Sequence, residues 1–444
     1  MRKLLWASSW AAGLIGLGLI SGLPVQASPT FKTLYEFCSQ AGCTDGINPE
    51  AGLVRDSAGN LYGTTIGGGA GFGTIFELVH GTTFKRLYSF CSQEGCIDGV
   101  SPRGALIVDT AGKLYGTASG GGADGAGVVF ELAKTGNSWT LHVLHDFCSE
   151  GGSACSDGSQ PSGTDVGASG SLAYAGETAG QLYDGSSPLY GTTESGGANN
   201  SGVVFALTLA AGTWTESVAY SFCAKAACAD GASAGNLVAK SDSLLYGTAA
   251  LGDGSVFQLK FHARKKRWKL TTLYGFCKSS GCADGDVPSG LTMDASGTLF
   301  GTTFGGGFSG TFCFFSSGCG TVFSVVPHGK HTHETVLYNF CSISLCPDGA
   351  QPEPGLAIDS SGALYGATNT GGSQTCFDGC GVAFKLQSGS ETVLHEFCTE
   401  DGCTEGTSPG AGVVLDAAGN VFGTTDFGGA TGGGTVYQIT PGAK

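Results

Sequence analysis

A unit of roughly fifty residues returns down the chain, and a period of this length decides the architecture before any single element does. Its clearest copy runs from Gly52 to Pro102. An apolar run ending in Asp leads into a Gly-containing turn and a Leu-Tyr-Gly-Thr-Thr core. A Gly-rich loop, a Gly-Thr-Ile-Phe run and a Leu-Tyr-x-Phe run follow, and the unit closes on a Cys pair and Asp-Gly. Leu-Tyr-x-Phe-Cys or a close variant begins at Leu34, Leu87, Leu144, Ala219, Leu273, Leu337 and Leu394, which makes seven units.

Each unit holds four short segments, here named a to d: in the first, Gly52–Asp56, Leu61–Thr65, Thr74–Leu78 and Phe84–Phe90. None shows a helical period of useful length. Gly, Thr, Val, Tyr and Phe enrichment between regular turns predicts short antiparallel strands. A lone four-stranded sheet cannot bury both faces, whereas a ring of them can. The expected fold is all-β, a seven-bladed β-propeller of four-stranded antiparallel blades. A parallel solenoid, which uses shorter units, comes second.

The ends of the array sharpen this. Phe31–Phe37 is a d-type segment with no sheet of its own, while Gly412–Asp416, Val421–Thr425 and Thr435–Ile439 are a, b and c without d. The N-terminal strand is therefore expected to complete the last blade and close the ring, removing two open edges. The short a–b turn should lie on one face. The b–c loop and the Cys-bearing d–a loop should emerge together on the other, where binding sites favour variable loops.

Charged residues make up 13% of the 444, against 41% apolar, a balance opposite to that of disordered chains. The net charge of −15 lacks the basic footprint of nucleic-acid binding. Residues 1–27 read as a signal peptide: Met1-Arg2-Lys3, an apolar stretch from Leu4 to Leu23, then Val25-Gln26-Ala27 before Ser28. The alternative is an uncleaved anchor, since about twenty apolar residues can span a bilayer. The domain division is thus 1–27 signal and 28–444 a single propeller. The expected location is secreted or extracellular (or periplasmic or cell-surface), with no stable membrane span after signal removal, as a monomer.

Eighteen Cys in an exported chain read as disulfides. The local pairs are Cys38/Cys43, Cys91/Cys96, Cys148/Cys155, Cys223/Cys228, Cys277/Cys282, Cys341/Cys346 and Cys398/Cys403, with Cys313/Cys319 and Cys376/Cys380 in two longer loops. Zinc is the weaker reading, because no His partner lies at fixed distance.

The motif GLVxDxxGNLYGTTxxGG, followed by GTVFxL, LYxF and DG, closely resembles the GloVer tandem-repeat family over nearly all of residues 31–440. The resemblance implies an exported bacterial protein of repeated, propeller-like units. It carries no established chemistry and so assigns no catalytic residue. More distantly, the GLxxD–GxLY core resembles NHL-type propellers.

Among candidate site residues, Asp45, Asp98, Asp157, Asp230, Asp284 and Asp348 each precede Gly after the second Cys, with Glu405 in the last unit. They could form a carboxylate ring for Ca²⁺, the one cofactor considered, or for a polar ligand. A turn in which the side chain bonds its own backbone explains a feature present in every unit better. Asp56, Asp109, Asp294, Asp359 and Asp416 at the end of segment a read as turn residues in the same way. Phe312, Phe314 and Phe315, beside Cys313 and Cys319, would suit a hydrophobic or sugar ligand if exposed; packing on a neighbouring blade is the alternative. His331 and His333 share a face without metal spacing, and His145 and His395 replace a strand Tyr. The basic run Lys260–Lys269 could meet an anionic glycan or membrane surface, though such runs are more often solvated hairpins.

The function expected from the sequence is a non-catalytic extracellular binding or interaction scaffold, its ligand a carbohydrate or protein at the loop face. The rival is a propeller hydrolase or lyase acting on a carbohydrate or lactone. Polar groups outside the repeat converging on the channel mouth would favour the enzyme. Specific function is expected where units three, four and five break the pattern.

Overall fold

The computed structural model describes residues 28–149, 155–161, 170–251, 254–278, 281–308, 313, 318–327, 332–376 and 379–442. The signal-peptide segment, Phe312, Phe314, Phe315 and His331 lie outside the described residues. Seven antiparallel sheets follow one another along the chain, and no α-helix occurs among the described residues. Sheet 1 comprises Val54–Arg55, Leu61–Thr65, Thr74–Val79 and Thr83–Ser89, in that spatial order. Sheets 2 to 6 span residues 107–146, 159–221, 234–275, 286–339 and 350–396. The fold is the expected seven-bladed propeller. Sheet 7 is completed by the first strand of the chain, Thr30–Glu36, which pairs antiparallel with Thr435–Thr440.

Two motifs of the repeat are tied by register. Gly63 of Leu-Tyr-Gly lies directly across from Phe76 of the following strand, and a Cβ on Gly63 would meet the Phe76 ring at 2.6 Å. The aromatic ring lies over the bare glycine backbone, so each motif requires the other.

The sheets are joined by a recurrent ring contact. Phe37, at the end of the closing strand, meets Phe76 of sheet 1 edge-on with centroids 5.0 Å apart. The same pair recurs at every junction, as Phe90–Phe130, Phe147–Phe205, Phe222–Phe257, Phe276–Phe323, Phe340–Phe384 and Phe397–Tyr437. Edge-to-face pairs contribute about 0.5–1.5 kcal/mol each beyond the area they bury. Threonine adds a second stitch: Thr64 donates to Pro102 O of the next sheet at 3.2 Å, and Thr424 donates to Ala51 O across the closure at 3.4 Å. The repeated Thr pairs are therefore joinery.

Segment a is shorter than the sequence suggests, with two paired residues in sheets 1 and 2. Unit three carries an insertion around Asp165–Ser187 that leaves its a and b strands hard to place from sequence; in the structure Ser159–Pro161, just before it, and Ala173 within it both pair with strand b at Leu189–Ser195. Between Ala173 and Tyr190 the chain reaches back to sheet 2. Thr110 N–H donates to Tyr183 O at 3.0 Å, and the buried Tyr183 ring meets Tyr115 edge-on at 5.1 Å.

All eighteen Cys form nine disulfides in the expected pairs. Seven lie in the d–a loops: Cys38–Cys43, Cys91–Cys96, Cys148–Cys155, Cys223–Cys228, Cys277–Cys282, Cys341–Cys346 and Cys398–Cys403. Cys313–Cys319 and Cys376–Cys380 lie in b–c loops. The second cysteine of each d–a pair does more than bond its partner. Cys43, Cys96, Cys155, Cys228, Cys282, Cys346 and Cys403 all stand at positive φ, and each carbonyl accepts the N–H of the Gly three residues on, as Gly46 to Cys43 at 3.0 Å and Gly231 to Cys228 at 2.8 Å. In six of the seven the same carbonyl also accepts from a b–c loop glycine, as Gly69 to Cys43 at 3.0 Å and Gly372 to Cys346 at 2.8 Å. Bridges such as Ile47–Gly67 and Val100–Gly120 join the two loops again, which puts both on one face.

Candidate functional site

The axis of the ring is a narrow channel of about 250 Å³, lined by residues from all seven sheets. In most units strand a enters from the loop face through a Pro, and strand b leaves toward that face after Thr-Thr or its equivalent. The residue after each therefore sits at the mouth. These positions differ from unit to unit: Glu50, Arg103, Glu353 and Gly410 follow the prolines, while Asn369 and Asp426 follow the Ala-Thr and Thr-Thr pairs near the end of strand b.

They meet. Arg103 Nη1 pairs with Glu50 Oε2 across the boundary between sheets 1 and 2. The Asp426 carboxyl fills the space that a side chain on Gly410 would occupy, and Asn48 donates to its backbone carbonyl at 2.9 Å. Asn369 donates to Pro409 O at 3.3 Å. Burial pushes Glu353 up to about 8, opposed by an Asn369 hydrogen bond and reinforced by the charge of Glu50. Burial also lifts Asp426 well above the usual carboxylate range, with Glu353 and Glu50 adding to it and Arg103 opposing. Glu50 is raised by burial despite Arg103.

Two atoms of this group are buried without a hydrogen-bond partner, Arg103 Nε and Asp426 Oδ1. One is a donor and the other an acceptor. A buried polar atom left unpaired costs about 1–3 kcal/mol. Exposed apolar side chains stand on the same face, Phe72 and Phe308 in b–c loops, Phe427 at the end of strand b, and Ile97, Ile343 and Leu345 in d–a loops.

The aspartates singled out in the sequence lie elsewhere, one in each d–a loop, and are not gathered. Asp45, Asp98, Asp157, Asp230 and Asp348 are buried, and Asp284 is partly so. Asp45 accepts the Tyr35 hydroxyl at 2.7 Å, the Ser39 N–H at 3.0 Å and the Ser39 hydroxyl at 2.8 Å. Tyr88–Asp98, Tyr220–Asp230, Tyr274–Asp284 and Tyr338–Asp348 repeat the hydroxyl contact. The carboxylate spans the whole disulfide loop, from residues five and six earlier, instead of closing a turn on its own backbone. The turn itself is closed by the carbonyl of the second cysteine. In unit three His145 Nε2 takes the place of the hydroxyl, 3.0 Å from Asp157.

The cysteines stay with these loops as well. None of Cys43, Cys96, Cys155, Cys228, Cys282, Cys346 and Cys403 lines the channel, and neither do their partners. Their part is to hold the loop face in shape around the mouth.

The segment-a aspartates do close turns: Asp56 accepts Asn60 N–H at 2.8 Å and the Tyr62 hydroxyl at 3.1 Å. A larger groove of about 1210 Å³ opens between sheets 6 and 7 on the opposite face. Its carboxylates, Asp359 and Asp416, are occupied by the same kind of turn, so the mouth remains the better site. Among the described residues, the groups of three metal-ligating side chains with ligand atoms within 4.8 Å of one another are all disulfide cysteines. The mouth carboxyls are thus not preassembled around a cation.

The sequence reading misses the mouth group. It arises from units one, two, six and seven, not from three, four and five. The available signal was variability at fixed positions after Pro and after Thr-Thr.

The profile of the Gloeobacter/Verrucomicrobia repeat matches residues 3–185 and 314–444, and the chain belongs to that family. No curated protein sequence matches the chain. Among solved structures, the extracellular domain of a provisionally named one-component system from B. thetaiotaomicron is similar over 94% of this chain and 42% of its own, at 10% identity and a TM-score of 0.49. This chain thus spans under half of that protein's length. A provisionally named 6-phosphogluconolactonase from Bacteroides uniformis aligns over 84% of this chain and 87% of its own, at 13% identity and 0.46. PorZ, a surface component of the type-IX secretion system of Porphyromonas gingivalis, aligns over 86% and 51%, at 13% and 0.40. Likenesses at this level assign no activity.

Proposed function

We propose that this member of the Gloeobacter/Verrucomicrobia repeat family is an exported, monomeric binding protein whose ligand, a carbohydrate, enters the axial channel from the loop face. The observation that carries the reading is the pair of unpartnered atoms at the mouth, Arg103 Nε and Asp426 Oδ1. Hydroxyl groups can accept from the first and donate to the second, so a polyhydroxylated ligand suits both kinds of atom. The exposed Phe side chains around the mouth suit the apolar face of a sugar ring. Nine disulfides support export, and among the described residues no helix is long and apolar enough to cross a membrane.

The test is a glycan array followed by calorimetry on the best glycan. Arg103→Gln and Asp426→Asn should each lower affinity about tenfold, which corresponds to about 1.4 kcal/mol. Unchanged affinity in both variants removes the mouth from the reading.

The hydrolase or lyase alternative gains support from one feature. Glu353, held up to about 8, stands near Glu50, which Arg103 pairs, and two carboxyls in unlike surroundings can divide acid and base roles. Turnover of a bound glycan or lactone, abolished in Glu353→Gln, would select this reading over simple binding.

A further inference from the structure

We infer that the hairpin joining strands c and d of sheet 4 is a docking finger for an anionic polysaccharide, on the face opposite the channel mouth. Strand c, Ser255–His262, starts at the loop face and runs away from it, so the hairpin emerges on the side of the a–b turns. Four residues separate strands c and d here, against two in sheets 2, 3 and 6, three in sheet 1 and six in sheet 5.

Register sorts its side chains onto two faces. Phe261 lies across from Trp268, with ring centroids 5.3 Å apart, and Trp268 also meets Tyr190 of sheet 3 at 6.0 Å. This face fixes the finger to the body. On the other face Lys260 lies across from Lys269 and His262 from Arg267. Lys260, Lys269 and Arg267 are exposed, as are Arg264, Lys265 and Lys266 at the tip. Among the described residues none of these cations has a carboxylate ion-pair partner.

Like charges directly opposite each other across a strand pair destabilise it. The chain has only 21 Lys and Arg and a net charge of −15, yet it places six cations in this one hairpin. A polyanion relieves the repulsion. Successive same-face positions on a strand are about 7 Å apart, so the stripe presents repeated charges to a chain bearing repeated anions. A bilayer is the poorer partner, because membrane-surface elements carry bulky apolar side chains for insertion. The bulky apolar residues of this finger are turned inward, and its tip holds Ala263 among cations.

Heparin, a sulfated and carboxylated polysaccharide, serves as the probe. The purified protein should bind it with an affinity that falls as NaCl rises. Lys260→Gln/Arg267→Gln/Lys269→Gln should lose at least tenfold, while Lys260→Arg/Lys269→Arg keeps wild-type affinity. Wild-type affinity in the Gln variant overturns the inference, as does loss in the Arg variant, which would point to shape and not charge. Binding to phosphatidylglycerol vesicles without binding to heparin overturns the polysaccharide and leaves a membrane as the partner. The finger is remote from the channel, so none of these outcomes bears on the sugar site.

Discussion

Phe31 of the closing strand stacks on His395 of sheet 6, with ring centroids 3.9 Å apart and planes inclined by 12°. Closure therefore depends on more than backbone pairing within sheet 7. The first strand also holds the neighbouring sheet by a ring contact, and His395 is the residue that replaces the usual strand Tyr there.

Deleting residues 28–38 should open the ring. It removes the pairing partner of Thr435–Thr440 and the Phe37–Phe76 contact together, leaving bare strand edges. Light scattering should show concentration-dependent aggregation. A milder change, Phe31→Ala, should cost about 1–3 kcal/mol in urea unfolding, less than a core Phe because Phe31 is only half-buried. A truncated chain that stays monomeric with unchanged melting would rule out this closure.

His395 should make stability fall in acid. Burial lowers its affinity for a proton, although Glu405, 3.4 Å away, opposes this. Below its ordinary value of 6.5 the unfolded chain takes up a proton that the folded chain resists. The stabilisation is complete above that pH and is lost as pH falls. His395→Phe preserves a ring against Phe31 and removes the titration. Its unfolding free energy should be flatter than wild type between pH 6.5 and 5; an identical slope would place the dependence elsewhere.

Glu353 should act in the opposite sense. Its folded value is raised from 4.5 to about 8, so the folded state holds a proton that the unfolded state releases. That contribution is complete below pH 4.5 and lost as pH rises through 8, by up to about 1.4 kcal/mol per unit. Glu353→Gln should melt higher than wild type near pH 8 and no higher at pH 4.5. Because Glu50 and Asp426 share its field, wild type should show one broad transition across this window.

Structural and functional carboxylates should separate by mutation. Asp98→Asn and Tyr88→Phe should each cost about 1–2 kcal/mol by breaking a buried charge-assisted hydrogen bond, with glycan affinity unchanged. Asp426→Asn should do the reverse, lowering glycan affinity without lowering the melting temperature at pH 8. Loss of glycan binding in Asp98→Asn would return the disulfide loops to consideration as ligand contacts.

The scaffold was legible because it is written seven times. The blade count, ring closure and all nine disulfide pairs were readable from the spacing of the repeat. The Tyr–Asp contact was missed in favour of a local turn, although Tyr35 and Asp45 stand ten residues apart and the spacing recurs. His395 and Glu405 keep it while both partners change, the shorter ring facing the longer carboxyl. The carbonyl role of Cys43 and its counterparts was hidden, because a main-chain acceptor leaves no mark on residue choice. The mouth group was not readable in the same way. Glu50 and Asp426 lie at opposite ends of the chain, each at a position where loops ordinarily vary, and only ring closure brings them together. Their shifted protonation is a property of burial by several sheets at once, which no single segment encodes.

Pairing Thr30–Glu36 with Thr435–Thr440 also has a kinetic side. The strand synthesised first must wait for the strand synthesised last, so six sheets can form while the seventh stays incomplete. Loop-closure entropy for so distant a pairing is offset only once the intervening sheets have already drawn the two ends together. Completion of the ring is then the last pairing to form: a chain truncated before Thr435 has no partner for Thr30–Glu36, which is left as an open edge.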